Sequence, residues 1–182
     1  MLIQEGLSRL KIIRKRMNTL LKDISEYSAW PDKIKCPLGI VGKNQEYSIA
    51  HAEKELKSKI QSYNDLKDEF IRLKIAIDKT NLSTFIEVAG VKMTLHEAIL
   101  YKREVKGMVE SLLHSHDTSV RKAQLTVDQY NRNEAITEKA NILYLFPQSD
   151  IAKSRAFIDE FTEEVDAKMQ IANATTMIIF EE

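Results

Sequence analysis

The stretch Asn81–Glu97, NLSTFIEVAGVKMTLHE, constrains this chain most, because it holds a helix stop, a tight turn and a helix start in immediate succession. Asparagine tolerates the left-handed backbone of a helix C-cap, so Asn81 is expected to end the helix before it. Phe85-Ile86-Glu87-Val88 and Val91-Lys92-Met93 flank Ala89-Gly90, a small residue followed by glycine, which suits a two-residue hairpin turn needing φ > 0. Thr94 and Glu97 have the spacing of a capping box, in which the hydroxyl accepts the third helical N–H and the carboxylate reaches back to the cap. The joint therefore reads as a β-hairpin between two helices.

Upstream, positions 3, 6, 10, 13, 17, 20, 24 and 27 are Ile, Gly, Leu, Ile, Met, Leu, Ile and Tyr, the three-four spacing of an amphipathic helix with a narrow seam. Lys11, Arg14, Lys15 and Arg16 form a basic run along it and read as a solvated face. Trp30-Pro31 ends this helix, since the residue before proline is pushed out of the α region. An excursion follows around Ile34, Leu38, Ile40 and Val41, with Cys36 in it as a small core residue rather than a nucleophile. Ser48 is placed to cap a second helix striped by Ile49, Ala52, Leu56, Ile60, Tyr63, Leu66, Phe70, Leu73 and Ile77. At about 1.5 Å per residue it is a rod of roughly 48 Å that needs a partner along its length.

Downstream, a third helix is expected from Leu95 to about His114, striped by Leu95, Ala98, Val105, Val109 and Leu112. Position 102 should belong to that stripe, yet it is Lys102, an ammonium that must snorkel, pair with a carboxylate or meet a ligand. His114 and His116 stand at i and i+2, which do not face one way on a helix, and no metal site is expected there. Val120–Tyr130 is compatible with a strand or a frayed helix. Ile142–Phe146, closed by Pro147, reads as a buried strand. Ser149 or Asp150 caps a last helix striped by Ile151, Ile158, Phe161, Val165, Met169 and Ala172, and Thr175–Phe180 reads as a short strand.

The fold expected is mainly α: an antiparallel four-helix bundle or long helical hairpins with a small β-hairpin or sheet, in one domain over 1–182. An offset of 92 residues lays Met93 onward over Met1 onward, matching Glu97 with Glu5, Val105 with Ile13 and Leu112 with Leu20. The same offset lays Asn173-Ala174-Thr175-Thr176 over Asn81-Leu82-Ser83-Thr84. Two distant segments sharing one offset point to a duplicated unit, 1–90 and 93–182.

Basic and acidic residues balance at 27 each, so a general nucleic-acid binder, with its basic excess, is not expected. The longest apolar runs are too short to span a bilayer, and the N-terminal residues lack the order of a secretory signal, so a cytoplasmic protein is expected. No catalytic motif of recognised spacing occurs: Glu163-Glu164 and Glu181-Glu182 are adjacent pairs that diverge on a helix, and no enzyme, metal or cofactor is expected.

The order helix, Asn-x-(Ser/Thr)-Thr, short hairpin with Gly90, Thr94-Leu95-x-Glu97-Ala98-Ile99, Lys102-Arg103, Tyr130-x-Arg132-x-Glu134 and Ile171–Thr176 resembles the septicolysin-like family of small helical bacterial and phage proteins. That resemblance covers most of the chain and implies a pore-forming cytotoxin. A second likeness, of type rather than motif, is to small oligomeric phage proteins that sequester the nucleotide signals of bacterial immunity without cleaving them. On that analogy the chain is a non-enzymatic homo-oligomer holding a small anionic nucleotide-type ligand, with Lys102, Arg103 and Arg132 on phosphate and Tyr130 stacked on a base. The remaining reading is a structural or partner-binding helical assembly protein in which Lys102 is salt-bridged.

Overall fold

The computed structural model describes residues 1–42, 46–133 and 137–179. Among these described residues the protein is mainly helical, with two antiparallel sheets of two strands each. The chain divides into two compact units, one of residues 1–80 with 173–182 and one of residues 81–172.

The first unit is built on α1 (Ile3–Tyr27) and the part of α2 (Ile49–Ser83) up to Thr80. The seam of α1 buries Ile3, Gly6, Leu10 and Ile13, and α2 buries Leu73, Ala76 and Ile77. Arg9 pairs with Glu69, the Arg14 guanidinium lies 5.5 Å from the Phe70 ring centre, and Lys59 meets Asp23 at 2.7 Å. Arg9 meets Glu69 near the start of α1 and Asp23 meets Lys59 near its end, so the two helices run antiparallel. The excursion between them holds a two-stranded ribbon, β1 (Ile40–Val41) with β2 (Glu46–Tyr47), and Cys36 is buried in it. Ser48 Oγ accepts the His51 N–H at 3.3 Å and starts α2 as its spacing implied.

The tail of the chain closes this unit. Ile3 N donates to Thr176 O at 3.0 Å, Ile178 N to Met1 O at 2.9 Å, and Leu2 bridges Met177 in antiparallel sense. Thr80, fully buried, donates its hydroxyl to Ala76 O and accepts Ile179 N, both at 2.8 Å, so the burial of a polar group is compensated. Gly6 lets the tail approach: a Cβ there would stand 2.4 Å from Ile178 Cδ1 and 3.2 Å from Ile77 Cδ1.

In the second unit, β3 (Phe85–Val88) pairs with β4 (Val91–Thr94), Phe85 opposite Thr94 and Val88 opposite Val91. Ala89 and Gly90 have φ of 51° and 69°, the left-handed pair that a two-residue turn demands. Thr94 Oγ1 accepts Glu97 N at 3.1 Å while Thr94 N donates to the Glu97 carboxylate, completing the capping box that opens α3 (Leu95–Leu100). A π-helical turn, Tyr101–Val105, leads into α4 (Lys106–Asn131), and α5 (Gln148–Thr175) packs its Ile151, Ile158, Phe161 and Val165 inward. Val88, Met93, Ala98, Phe161 and Val165 form the core, each large apolar side chain contributing about 1.5–3 kcal/mol by burial. Glu164 accepts the Ala89 N–H at 3.2 Å and ties the hairpin turn to α5.

Several expectations are corrected. Asn81 does not end α2; the helix continues to Ser83, with Asn81 buried within it. Tertiary burial here outweighs the capping preference of asparagine. The helix expected to stop near His114 runs to Asn131, so Val120–Tyr130 is helical. Ile142–Phe146 is not a buried strand: Leu143 is 80% and Leu145 91% exposed, and no strand partner meets them among the described residues. Just before this run, the Asn131 side-chain amide donates to Ala140 O at 2.9 Å and accepts Ala140 N at 2.8 Å. Thr175–Phe180 is not a strand: α5 includes Thr175, Met177 makes an isolated bridge, and Phe180 lies outside the described residues.

The same local geometry recurs at an interval of 92 residues. α1 and α3 begin at Ile3 and Leu95, and α2 and α5 end at Ser83 and Thr175. The bond Ile3 N to Thr176 O matches Leu95 N to Thr84 O, and the Leu2·Met177 bridge matches the Thr94·Phe85 pair. Glu5 accepts Leu2 N at 2.9 Å as Glu97 accepts Thr94 N at 2.6 Å.

Candidate functional site

The π turn decides where Lys102 goes. One extra residue in a helical turn shifts the phase of everything after it. Tyr101 therefore points inward, its ring 4.7 Å from that of Phe161 and 5.4 Å from that of Phe157, and burial pushes its hydroxyl pKa up. Lys102 turns outward and pairs with Asp166, the two side chains 44% and 61% exposed. Beyond the turn Val109 stays half-buried on the expected stripe, whereas Leu113 is buried and Leu112 exposed, the reverse of the sequence expectation.

Arg103 pairs with its neighbour Glu104 on the surface. Tyr130 is exposed near the end of α4, and Arg132 follows that helix as its C-cap. From Arg103 to Tyr130 the chain is continuously helical, which at about 1.5 Å per residue separates them by roughly 40 Å. Lys102 and Arg103 are adjacent and Tyr130 and Arg132 two apart, so the members of each pair diverge on the helix surface, and one chain does not bring the two pairs together. Glu134, the last residue of the Tyr130-x-Arg132-x-Glu134 pattern, lies outside the described residues.

His116 does enter a polar cluster. Its Nε2 lies 3.1 Å from Gln148 Nε2 and its Nδ1 3.5 Å from Asp117, which takes a bidentate pair from Arg155 at 2.9 and 3.1 Å. The Arg155 hydrogen bond holds the Asp117 carboxyl below the usual carboxylate range, against the opposing effect of burial. Among the described residues no group of three His, Cys, Asp or Glu side chains could hold a metal ion. None of the described helices is long and apolar enough to cross a membrane.

A concavity with convergent basic groups was missed by the sequence reading. It is a groove of about 800 Å³ in the first unit, with Leu66, Leu73 and Ala76 of α2 on its floor. Arg9, Arg72 and Lys79 stand around it with Asp65 and Glu69. Glu69 is committed to Arg9, and Asp65 accepts Gln61 Nε2 at 2.8 Å. Arg72 makes no ion pair among the described residues. The signal was present in the 92-residue offset, which sets Arg9, Asp65 and Glu69 against Tyr101, Phe157 and Phe161: polar residues where the other unit has an aromatic cluster. Comparison of the chain with protein-family models, curated proteins and solved structures finds no match.

Proposed function

We propose that this chain is a self-associating, non-enzymatic helical binding protein made of two copies of one unit, a helix, an excursion and a second helix whose following residues bond back to the start of the first. The shared interval of 92 residues in helix ends, capping carboxylates and strand bonds supports the duplication. The exposed apolar side chains are the observation that carries self-association.

The apolar side chains left outside are where a second copy fits, foremost Leu143, Leu145 and Phe146 in the second unit. Sedimentation equilibrium tests this: an oligomer is expected at micromolar concentration, and Leu143→Ser with Leu145→Ser is expected to weaken it. A monomer at all concentrations overturns the reading. The ligand class is a small nucleotide-type anion, held without cleavage. A site using Lys102 and Arg103 together with Tyr130 and Arg132 would have to draw them from two copies, because the helix separates them within one.

A further inference from the structure

We infer that the groove of the first unit is a ligand site for a planar ring bearing a phosphate or carboxylate, occupying the place that aromatic side chains fill in the second unit. The inference rests on the duplicated-unit reading. In the second unit Tyr101, Phe157 and Phe161 pack on one another over Val165, and Phe161 is fully buried. At the positions 92 residues earlier stand Arg9, Asp65 and Glu69, over Leu73. An aromatic cluster has been replaced by an ion pair and a carboxylate, and the space is open, about 800 Å³. That volume is within the range of small-molecule sites, about 300–1,000 Å³.

The chemistry of the walls selects the occupant. Leu66, Leu73 and Ala76 offer an apolar floor for a ring, the same kind of surface on which Phe161 lies in the other unit. Arg72 stands on the wall with its guanidinium unengaged by any carboxylate among the described residues, while both acidic neighbours are already hydrogen-bonded. A guanidinium takes phosphate or carboxylate bidentately, and Arg9 can lie flat against a ring as well as pair with Glu69. Ring and anion are thus both required: the floor recognises one and Arg72 the other.

Calorimetric titration of the full chain with phenyl phosphate, adenosine monophosphate, adenosine and inorganic phosphate tests this. Saturable binding of phenyl phosphate or adenosine monophosphate is expected, at least tenfold tighter than adenosine or phosphate alone. Arg72→Gln should weaken it at least tenfold, while Lys153→Gln, an exposed residue of the other unit, should leave it unchanged. A chain carrying Arg9→Tyr, Asp65→Phe and Glu69→Phe together rebuilds the aromatic cluster, and should remain helical by circular dichroism and lose binding. Absence of binding to both ring-bearing anions, indifference to Arg72→Gln, or binding retained in the folded triple variant each overturns the site. Misfolding of the triple variant overturns the correspondence between units, and Arg72→Gln then decides the groove alone. Self-association is read separately by sedimentation, so failure of the groove and failure of assembly are distinguishable.

Discussion

At an interval of 92 residues the two units share backbone bonds beside their helix starts, and they pack differently next to those bonds. The second closes over Tyr101, Phe157 and Phe161, with Phe161 shielded from solvent; the first sets Arg9 against Glu69 at the corresponding place and stays open. A dry aromatic cluster stabilises through burial and ring contact. A part-exposed ion pair contributes little, because water competes for both charges. On the proposed duplication, the contrast teaches that one set of helix ends and backbone bonds tolerates either a core or a cleft, provided the caps and the close approaches survive.

The strongest challenge to that contrast is a pair of truncations read by chemical denaturation. Phe161→Ala is expected to cost about 3–5 kcal/mol, and Glu69→Ala, its counterpart, within about 1 kcal/mol. Equal losses would show that the first unit depends on its ion pair as a core, and the comparison would fail. Next in size is the close approach at Gly6, where a methyl group would meet the terminal methyl of Ile178; overpacking of about 1–3 kcal/mol is offset by about 1 kcal/mol of helix propensity, so Gly6→Ala should cost about 0–2 kcal/mol in thermal or denaturant melts. The opposite change, Ala98→Gly at the corresponding site, should cost about 1 kcal/mol through helix propensity.

The caps offer a smaller and more symmetrical test. Thr94→Ala should lose about 1 kcal/mol, whereas Leu2 has no oxygen with which to accept a helical N–H, so Leu2→Thr should gain a fraction of that. Smallest is Lys102→Met, expected within about 0.5 kcal/mol because the pair with Asp166 is exposed. A large loss there would show that Lys102 serves the core after all.

Acid provides a last discrimination. Hydrogen bonds from the Thr94 backbone and hydroxyl hold Glu97 below the usual carboxylate range, and the bond from Arg155 does the same for Asp117. Both folded values are depressed, so the stabilisation is present above the unfolded carboxylate range and is lost as pH falls through the lower folded values. Carboxyl chemical shifts followed by NMR should place both midpoints below those of the unfolded chain; unshifted midpoints would remove these bonds from the account.

Much of this frame was legible in the residues. Ala89-Gly90, Thr94 with Glu97, the seam of α1 and Ser48 are local signals, each set by the conformational or hydrogen-bonding needs of one or two residues, and each lies as read. What escaped was non-local. No residue type announces a π turn, and without it the periodicity carries Lys102 and Leu112 inward. Ile142–Phe146 has the apolar content of a core strand, but content does not supply a partner strand, and the run lies outside. Asn81 carries a stop signal that burial overrides. The groove was visible only as a difference between two aligned halves, which no single motif records.

The closure of the first unit by residues that follow the second sets an order of events. Residues 81–172 are contiguous, whereas Ile3, Gly6 and Thr80 obtain their partners Thr176, Ile178 and Ile179 only after those residues have been made. During synthesis the second unit can therefore complete itself while the first still waits, its α1 seam and Thr80 hydroxyl unsealed until the tail leaves the ribosome.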